Sequence, residues 1–448
     1  MSVKEKESIK LNEQLTQQMD IILKCTISSE KYGRLLLASP PESRYPYVYP
    51  RDCNCAVQLF RRLAGSVVGY DVAGQAFDLM RSMAYFIKDV LSDSGYWGQR
   101  YGLDGCDKSI YKQEDNLAHG IAIICNYLLA CHRLKKAIPE LEELLYKIDQ
   151  ALVYAIERFY QKELNLFHST TSIHESALEE GFTCWVNFAF LYAFSLAEEV
   201  ANLLDEKNLI SDSHLRFRKH FLYSVSELFL YGERYVRRID PQGNIDMRPD
   251  FTLLSPFYFG FCHYGSALNK SVSFLEKQLW DPELGMIMRY LPFSKDFATH
   301  VHAGNGPWLQ YTAILAQYHY WSGNLKRGDE LLQLIDVHKN DQGEIPEHLS
   351  TCKRFEEFRK NEWQTGVDFQ KEFHEPILLE NVQFDKILEE TNNMARAYGE
   401  TGEKCMFVNA ASPEGGYIQF ATPLMWSHVE YARALLIRSG DWWKVNRQ

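Results

Sequence analysis

The stretch Ser172–Trp185, SIHESALEEGFTCW, brings three carboxylates, Glu175, Glu179 and Glu180, to the mouth of an aromatic, helix-like run. Acids so placed have two uses. They cap or solvate the first turn of the helix that follows, where the macrodipole favours negative charge, or one of them holds a proton and delivers it to a leaving group. The second use needs a partner: hydrolysis of a glycosidic bond calls for one protonated carboxylic acid at the departing oxygen and one ionised carboxylate that activates water or attacks the sugar. Asp and Arg side chains nearby would hold the sugar hydroxyls through charge-assisted hydrogen bonds. Other long loops supply candidates: Arg51 and Asp52; Asp104, Glu114 and Asp115; Arg248 and Asp250; Glu344 and Glu347. Taken singly each reads as a cap or a surface group, and it is their concentration in aromatic loops that points to sugar chemistry.

Competing chemistries lack their signatures. There is no HExxH, no GxGxxG after a strand, no GxxxxGK[ST] and no GxSxG. The 10 cysteines are scattered without a pair of CxxC motifs at zinc-finger distance, so neither metal nor cofactor is expected and the thiols read as reduced core or pocket-wall groups. His119 and His428 fall on helical runs and read as structural, or as hydrogen-bonding groups at a barrel rim. With 48 basic and 59 acidic residues and a net charge of −11, the chain carries no basic stripe for a phosphate backbone, which excludes nucleic acid as the expected partner. The opening MSVKEKESIKLNEQL has no apolar run after its charges, and no stretch reaches the roughly 18 apolar residues of a membrane span; the expectation is a cytoplasmic protein with no membrane partner. The 26 Tyr, 26 Phe and 9 Trp suit sugar faces and helical cores alike.

The elements that must position these residues are helices. Apolar periodicity predicts them near 11–27, 53–65, 72–91, 114–133, 137–161, 182–204, 210–232, 259–276, 306–322, 326–338, 383–400 and 425–438, with little strand. Connections alternate between short polar turns and long aromatic loops such as 39–52 and 92–115. A closed ring of helix pairs, inner and outer, would put every long loop at one end, around a central cavity. No recurring signature supports an open solenoid, and no linker divides the chain. The expected architecture is therefore one all-α domain over 1–448, with residues 1–10 a frayed tip.

Segments spread from about Ser39 to Ser439 resemble, in order, those of glycoside hydrolase family 15, the glucoamylase and glucodextranase family: YVYPRD at 47–52, QEDNLAHG at 113–120, IHES at 173–176 with FTCWV at 182–186, GNGPW at 304–308, IPEHLS at 345–350 and PLMWSHVEY at 423–431. The resemblance implies an (α/α)6 barrel with the active site at its long-loop end, acting on an α-glucan or α-gluco-oligosaccharide. It implies an exo-acting, inverting enzyme that releases β-glucose from non-reducing ends. Glu175 falls at the family's acid, with Glu179 and Glu180 as fallbacks, and Glu347 at its base, with Glu344 the weaker alternative. Arg51 and Asp52 would bind the terminal glucose, Asp115 and Arg289 would contact the sugar, and Trp97, Trp308 and Trp426 would wall the pocket. Inversion leaves room for a water, so the two carboxyl groups are expected about 6.5–9.5 Å apart. Two residues depart from the pattern: His174 stands where the family has tryptophan, and His348 where it has glutamine. Related activities on 1,6-linked glucan or trehalose, a phosphorylase, and a glucan-binding regulatory barrel without turnover stay open as alternatives.

Overall fold

Helix after helix in this chain is apolar either on one face or all round, and the two kinds alternate along the sequence. The computed structural model describes residues 3–65, 70–175, 178–204, 212–290, 306–358, 375–385, 406–407 and 416–440. Its helices among these residues are α1 (Val3–Lys24), α2 (Pro50–Leu63), α3 (Tyr70–Val90), α4 (Asp115–Leu134), α5 (Leu141–Phe159), α6 (Cys184–Leu203), α7 (Asp212–Leu228), α8 (Ser255–Phe259), α9 (Gly265–Leu279), α10 (Leu309–Trp321), α11 (Leu325–Val337), α12 (Cys352–Phe358) and α13 (Met425–Ser439).

Helices α2, α4, α6, α8, α10 and α13 form the inner ring. Nearly every residue of these helices is buried, as expected of helices apolar on all sides. Neighbours pack in sequence, α2 on α4, α4 on α6, α6 on α8, and α10 on α13; α13 returns to α2 and closes the ring. Across the remaining step, Phe257 of α8 meets Tyr318 of α10 edge to face at 5.5 Å. The outer helices, of which α5, α9 and α11 bury only one face, wrap this ring. The chain is thus the expected all-α (α/α)6 barrel. Helix α4 is long and apolar enough to cross a membrane, but its apolarity belongs to the barrel interior, where Asp115–Cys131 is buried.

Every passage from an inner helix to the next outer one is short, and every passage from an outer helix to the next inner one is long. The long loops therefore gather at the N-terminal ends of the inner helices, where the macrodipoles present partial positive charge to an anionic group. Short antiparallel ladders stiffen these loops. His348–Thr351 pairs with Tyr417–Phe420 in the register His348↔Phe420, and Phe182–Thr183 pairs with Arg238–Ile239.

Two expectations need correction. The helix expected at 259–276 is two, α8 and α9. Pro256 starts the first, and Gly260, at φ 85°, ends it after one turn, too soon for periodicity to register. The ten frayed N-terminal residues are instead helical from Val3, because Lys and Glu favour helix even where no apolar stripe demands it. The helix expected at 383–400 lies mostly outside the described residues.

Candidate active site

The acid loop between α5 and α6 is fastened from three sides. Ser169 and Gly181 bridge its ends (Ser169 N to Gly181 O, 2.7 Å), and Glu114, just ahead of α4, accepts from Thr170 N at 3.0 Å. Behind Glu175 lies a buried charge cluster. Arg237 pairs with Glu179, with Asp246 at 2.6 Å and with Asp250 at 2.8 Å. Glu179 also accepts from Ser172 Oγ. His174 Nδ1 accepts from Arg289 Nε at 2.6 Å, so Nε2 carries the proton and donates to Asp250 Oδ2 at 2.8 Å. Burial pushes His174 down to about 4 against the pull of Asp250, so the ring is neutral at ordinary pH and adds no cation beside Glu175.

These contacts sort the three acids. Glu179 is buried and fully committed, Glu180 is exposed at the rim, and Glu175 alone is both held and reachable. Its carboxylate, 26% exposed, accepts from Arg51 Nη2 and from Gln99 Nε2 at 2.9 Å. The ligand atoms of His174, Glu179 and Asp250 lie within 4.8 Å of one another. Arg237 already bridges the two carboxylates, which makes this group an ion-pair hub rather than a cage prepared for a cation.

Glu347 stands on the opposite run of chain, between α11 and α13. Its N–H donates to Phe420 O at 2.9 Å and its carbonyl accepts from Leu309 N at 3.0 Å, so both its peptide groups are fixed. Its carboxylate, 13% exposed, takes Tyr45 Oη at 3.2 Å and faces His348 Nδ1 at 3.5 Å, both through Oε2. His348 is itself sandwiched between rings, stacked on Trp308 at 4.7 Å and on Phe420 at 4.3 Å. Glu344, the alternative base, is taken up by Lys24 Nζ and Asn340 Nδ2, each at 2.8 Å, and serves the turn.

The N-terminus of α2 connects the two acids. Arg51 touches Glu175 and lies 3.5 Å from Asp115; with the Gln113 amide turned so that its oxygen faces the guanidinium, a further bond of 2.7 Å forms. Burial works to raise Asp115, but Arg51, His119 and the Trp185 indole N–H at 2.9 Å outweigh it and hold the carboxyl below its usual range. Asp52, the next residue, is the reverse case. Burial pushes it up to about 7 over the opposition of Arg51, with the charges of Glu347 and Asp115 adding to the rise.

Of the proposed walls, Trp308 and Trp426 line the inner-helix mouths. Trp308 lies under the Arg289 guanidinium at 4.6 Å, and Trp426 is edge-on to Tyr311 at 5.8 Å with its N–H on Glu430 at 2.9 Å. Trp97 is a correction. It is wholly buried, bonded to Ile87 O at 2.8 Å, and fills the space above Gly120, where an added Cβ would meet its ring at 2.4 Å. Its neighbour Gln99 reaches the site instead. Arg289 holds the Ile173 carbonyl and His174, and so acts on the acid loop. Arg248 pairs with Asp246, and Asp104 caps its own turn at Cys106 N. Sequence reasoning missed Gln99, Gln113 and Tyr45 as individuals, although the aromatic loops that carry them were singled out.

No family model matches the sequence, and comparison with curated proteins gives no match. Solved structures do match. A glycosidase superposes with a TM-score of 0.60 at 16% identity, covering 98% of this chain and 99% of its own, and a variant solved in complex with glucose gives the same values. A bacterial glucoamylase complexed with acarbose reaches a TM-score of 0.63 at 14% identity over 97% of this chain and 56% of its own. The glucoamylase of Saccharomycopsis fibuligera gives 0.55 at 15% identity over 97% and 96%. At such identities the likeness is one of architecture: the chain has the fold on which these glycosidases are built, over nearly its whole length.

Proposed function

We propose that this protein is an exo-acting, inverting α-glucan hydrolase that releases β-glucose from non-reducing ends, with Glu175 the general acid and Glu347 the general base. One observation carries the reading. Glu175 and Glu347 each present a partly exposed carboxylate held by a neutral donor from another loop, Glu175 by Gln99 Nε2 at 2.9 Å and Glu347 by Tyr45 Oη at 3.2 Å. In the mechanism, Glu175 protonates the glycosidic oxygen while Glu347 takes a proton from water on the other face of the sugar. Fixing Glu347 through Oε2 leaves Oε1 for that water. Asp52, Arg51 and Asp115 receive the hydroxyls of the terminal sugar, and this dead end of buried polar groups restricts attack to chain ends.

Glucose release from maltose, isomaltose, trehalose and maltodextrin tests the reading, with phosphate omitted and added to separate hydrolysis from phosphorolysis. The first-formed anomer is read by polarimetry. Glu175→Gln and Glu347→Gln are each expected to lower kcat by about 10²–10⁴-fold with unchanged melting. Release of α-glucose first, or full activity in either variant, would overturn the assignment.

One observation favours a second reading, a glucan-binding barrel without turnover. Arg51 lies on Glu175, and a guanidinium there favours the ionised carboxylate, the wrong state for a proton donor. Saturable maltodextrin binding by calorimetry with no glucose released from any member of the panel would select it.

A further inference from the structure

We propose that His428 is a positioning residue for Glu347, an acceptor on α13 that fixes the base-bearing turn and couples it to α1; this rests on the hydrolase reading above. His428 is fully buried, four residues into the last helix of the barrel. Its Nε2 lies 2.9 Å from the Ile345 N–H, which can only donate, so Nε2 accepts and Nδ1 carries the proton. That Nδ1–H then donates to Gln18 Oε1 of α1 at 2.7 Å. Burial, with Lys339 and Lys24 adding to it, pushes His428 well below the usual imidazole range, so one tautomer serves across the working pH.

Neighbouring bonds show what the imidazole does. Leu424 N donates to Ile345 O at 3.0 Å, and Ser427 Oγ donates to Pro346 O at 2.8 Å. Together with His428, the start of α13 thus grips the two residues immediately before Glu347. From the other side, α1 holds the same turn through Lys24 on Glu344 at 2.8 Å. It also approaches Gly343, φ 76°, so closely that an added Cβ would meet Gln17 Nε2 at 2.8 Å. His428 is the link between these two supports. An apolar residue of equal bulk would fill the same space but leave the Ile345 N–H without direction, and with it the aim of the base.

Three variants test this: His428→Leu, which removes the acceptor; His428→Gln, whose amide oxygen can stand where Nε2 does; and Gln18→Leu, which removes only the far partner. For His428→Leu, kcat on maltose is expected to fall about 10–100-fold, the scale of an ångström's misplacement, while KM stays within about twofold because the sugar-holding residues of α2 are untouched. His428→Gln should regain most of the lost kcat, and Gln18→Leu should show a smaller loss of the same kind. A purely structural histidine would lower the melting temperature in all three without splitting kcat from KM. A folded His428→Leu with wild-type kcat, or a His428→Gln as impaired as His428→Leu, overturns the proposal; should His428→Leu not fold, wild-type kcat in Gln18→Leu does so. If the wild type releases no glucose, the hydrolase reading fails first; an active wild type with a dead Glu347→Gln isolates failure of this inference.

Discussion

At Asp52 burial lifts the carboxyl to about 7 although Arg51 pulls the other way, and this has a sign that can be followed. An aspartate in the unfolded chain titrates near 3.9. Between about pH 4 and pH 7 the folded state therefore keeps a proton that the unfolded chain has released, so stability falls as pH rises through that window and stays at its lower value above it. Asp52→Asn removes the penalty. It is expected to stabilise the protein by about 1–2 kcal/mol at pH 8 and by little at pH 4, as read from urea melts at the two pH values, while KM for maltose rises. A residue that costs stability where it stands is what a binding function would retain; equal stability changes at both pH values would show that Asp52 is not carrying this burden. The spacing of Arg51 and Asp52 beside a run of tyrosines was legible as a binding loop. The raised state of Asp52 was not, because its burial is set by the closed barrel and the charges that add to it, Asp115 and Glu347, stand 63 and 295 residues further along.

Among the elements, the loop that carries Gln99 is anchored on α4 by Trp97 over Gly120. A wholly buried indole there predicts a stability phenotype. Trp97→Ala is expected to cost about 3–5 kcal/mol by chemical denaturation, and Gly120→Ala about 1–3 kcal/mol through overpacking. Trp308→Ala, by contrast, should also depress kcat/KM, since it removes the platform on which His348 stacks. If Trp97→Ala melted like the wild type and bound sugar poorly, the ring would belong to the pocket after all. Nothing local in SGYWGQRY distinguishes a sugar platform from a core plug; the answer lies in a glycine of another helix that leaves room for the ring. The same limit explains α8, one turn long, and the pairing of His348 with Phe420, whose partners lie 72 residues apart. The long inner helices were legible because their apolarity is continuous and their loops alternate in length.

For the molecule as a whole, closing the ring requires inner helices distant in sequence to meet around a common point, and they meet at Glu430. Its carboxylate accepts from Tyr258 Oη and Trp426 Nε1, both at 2.9 Å, from Arg433 Nη1 at 3.1 Å and from Gln317 Nε2 at 2.6 Å. Tyr258 Oη in turn lies 2.8 Å from Cys55 Sγ, so α2, α8, α10 and α13 share one buried network. Sequence alone showed Glu430 only as one acid in an apolar helix. A buried pair of this kind is worth little compared with well-packed apolar groups, but breaking it strands a charge. Glu430→Ala leaves Arg433 buried without its carboxylate, and is expected to destabilise by about 3–5 kcal/mol. The double variant Glu430→Leu with Arg433→Leu should lose less than the sum of its singles, a coupling that a double-mutant cycle measures directly. Because Glu430 also holds the Trp426 indole, the single variant should raise KM even at temperatures where it remains folded, linking ring closure to the pocket. Additive losses in the cycle, or an unchanged KM in folded Glu430→Ala, would mean that the barrel closes by apolar packing alone and that the pocket wall stands without it.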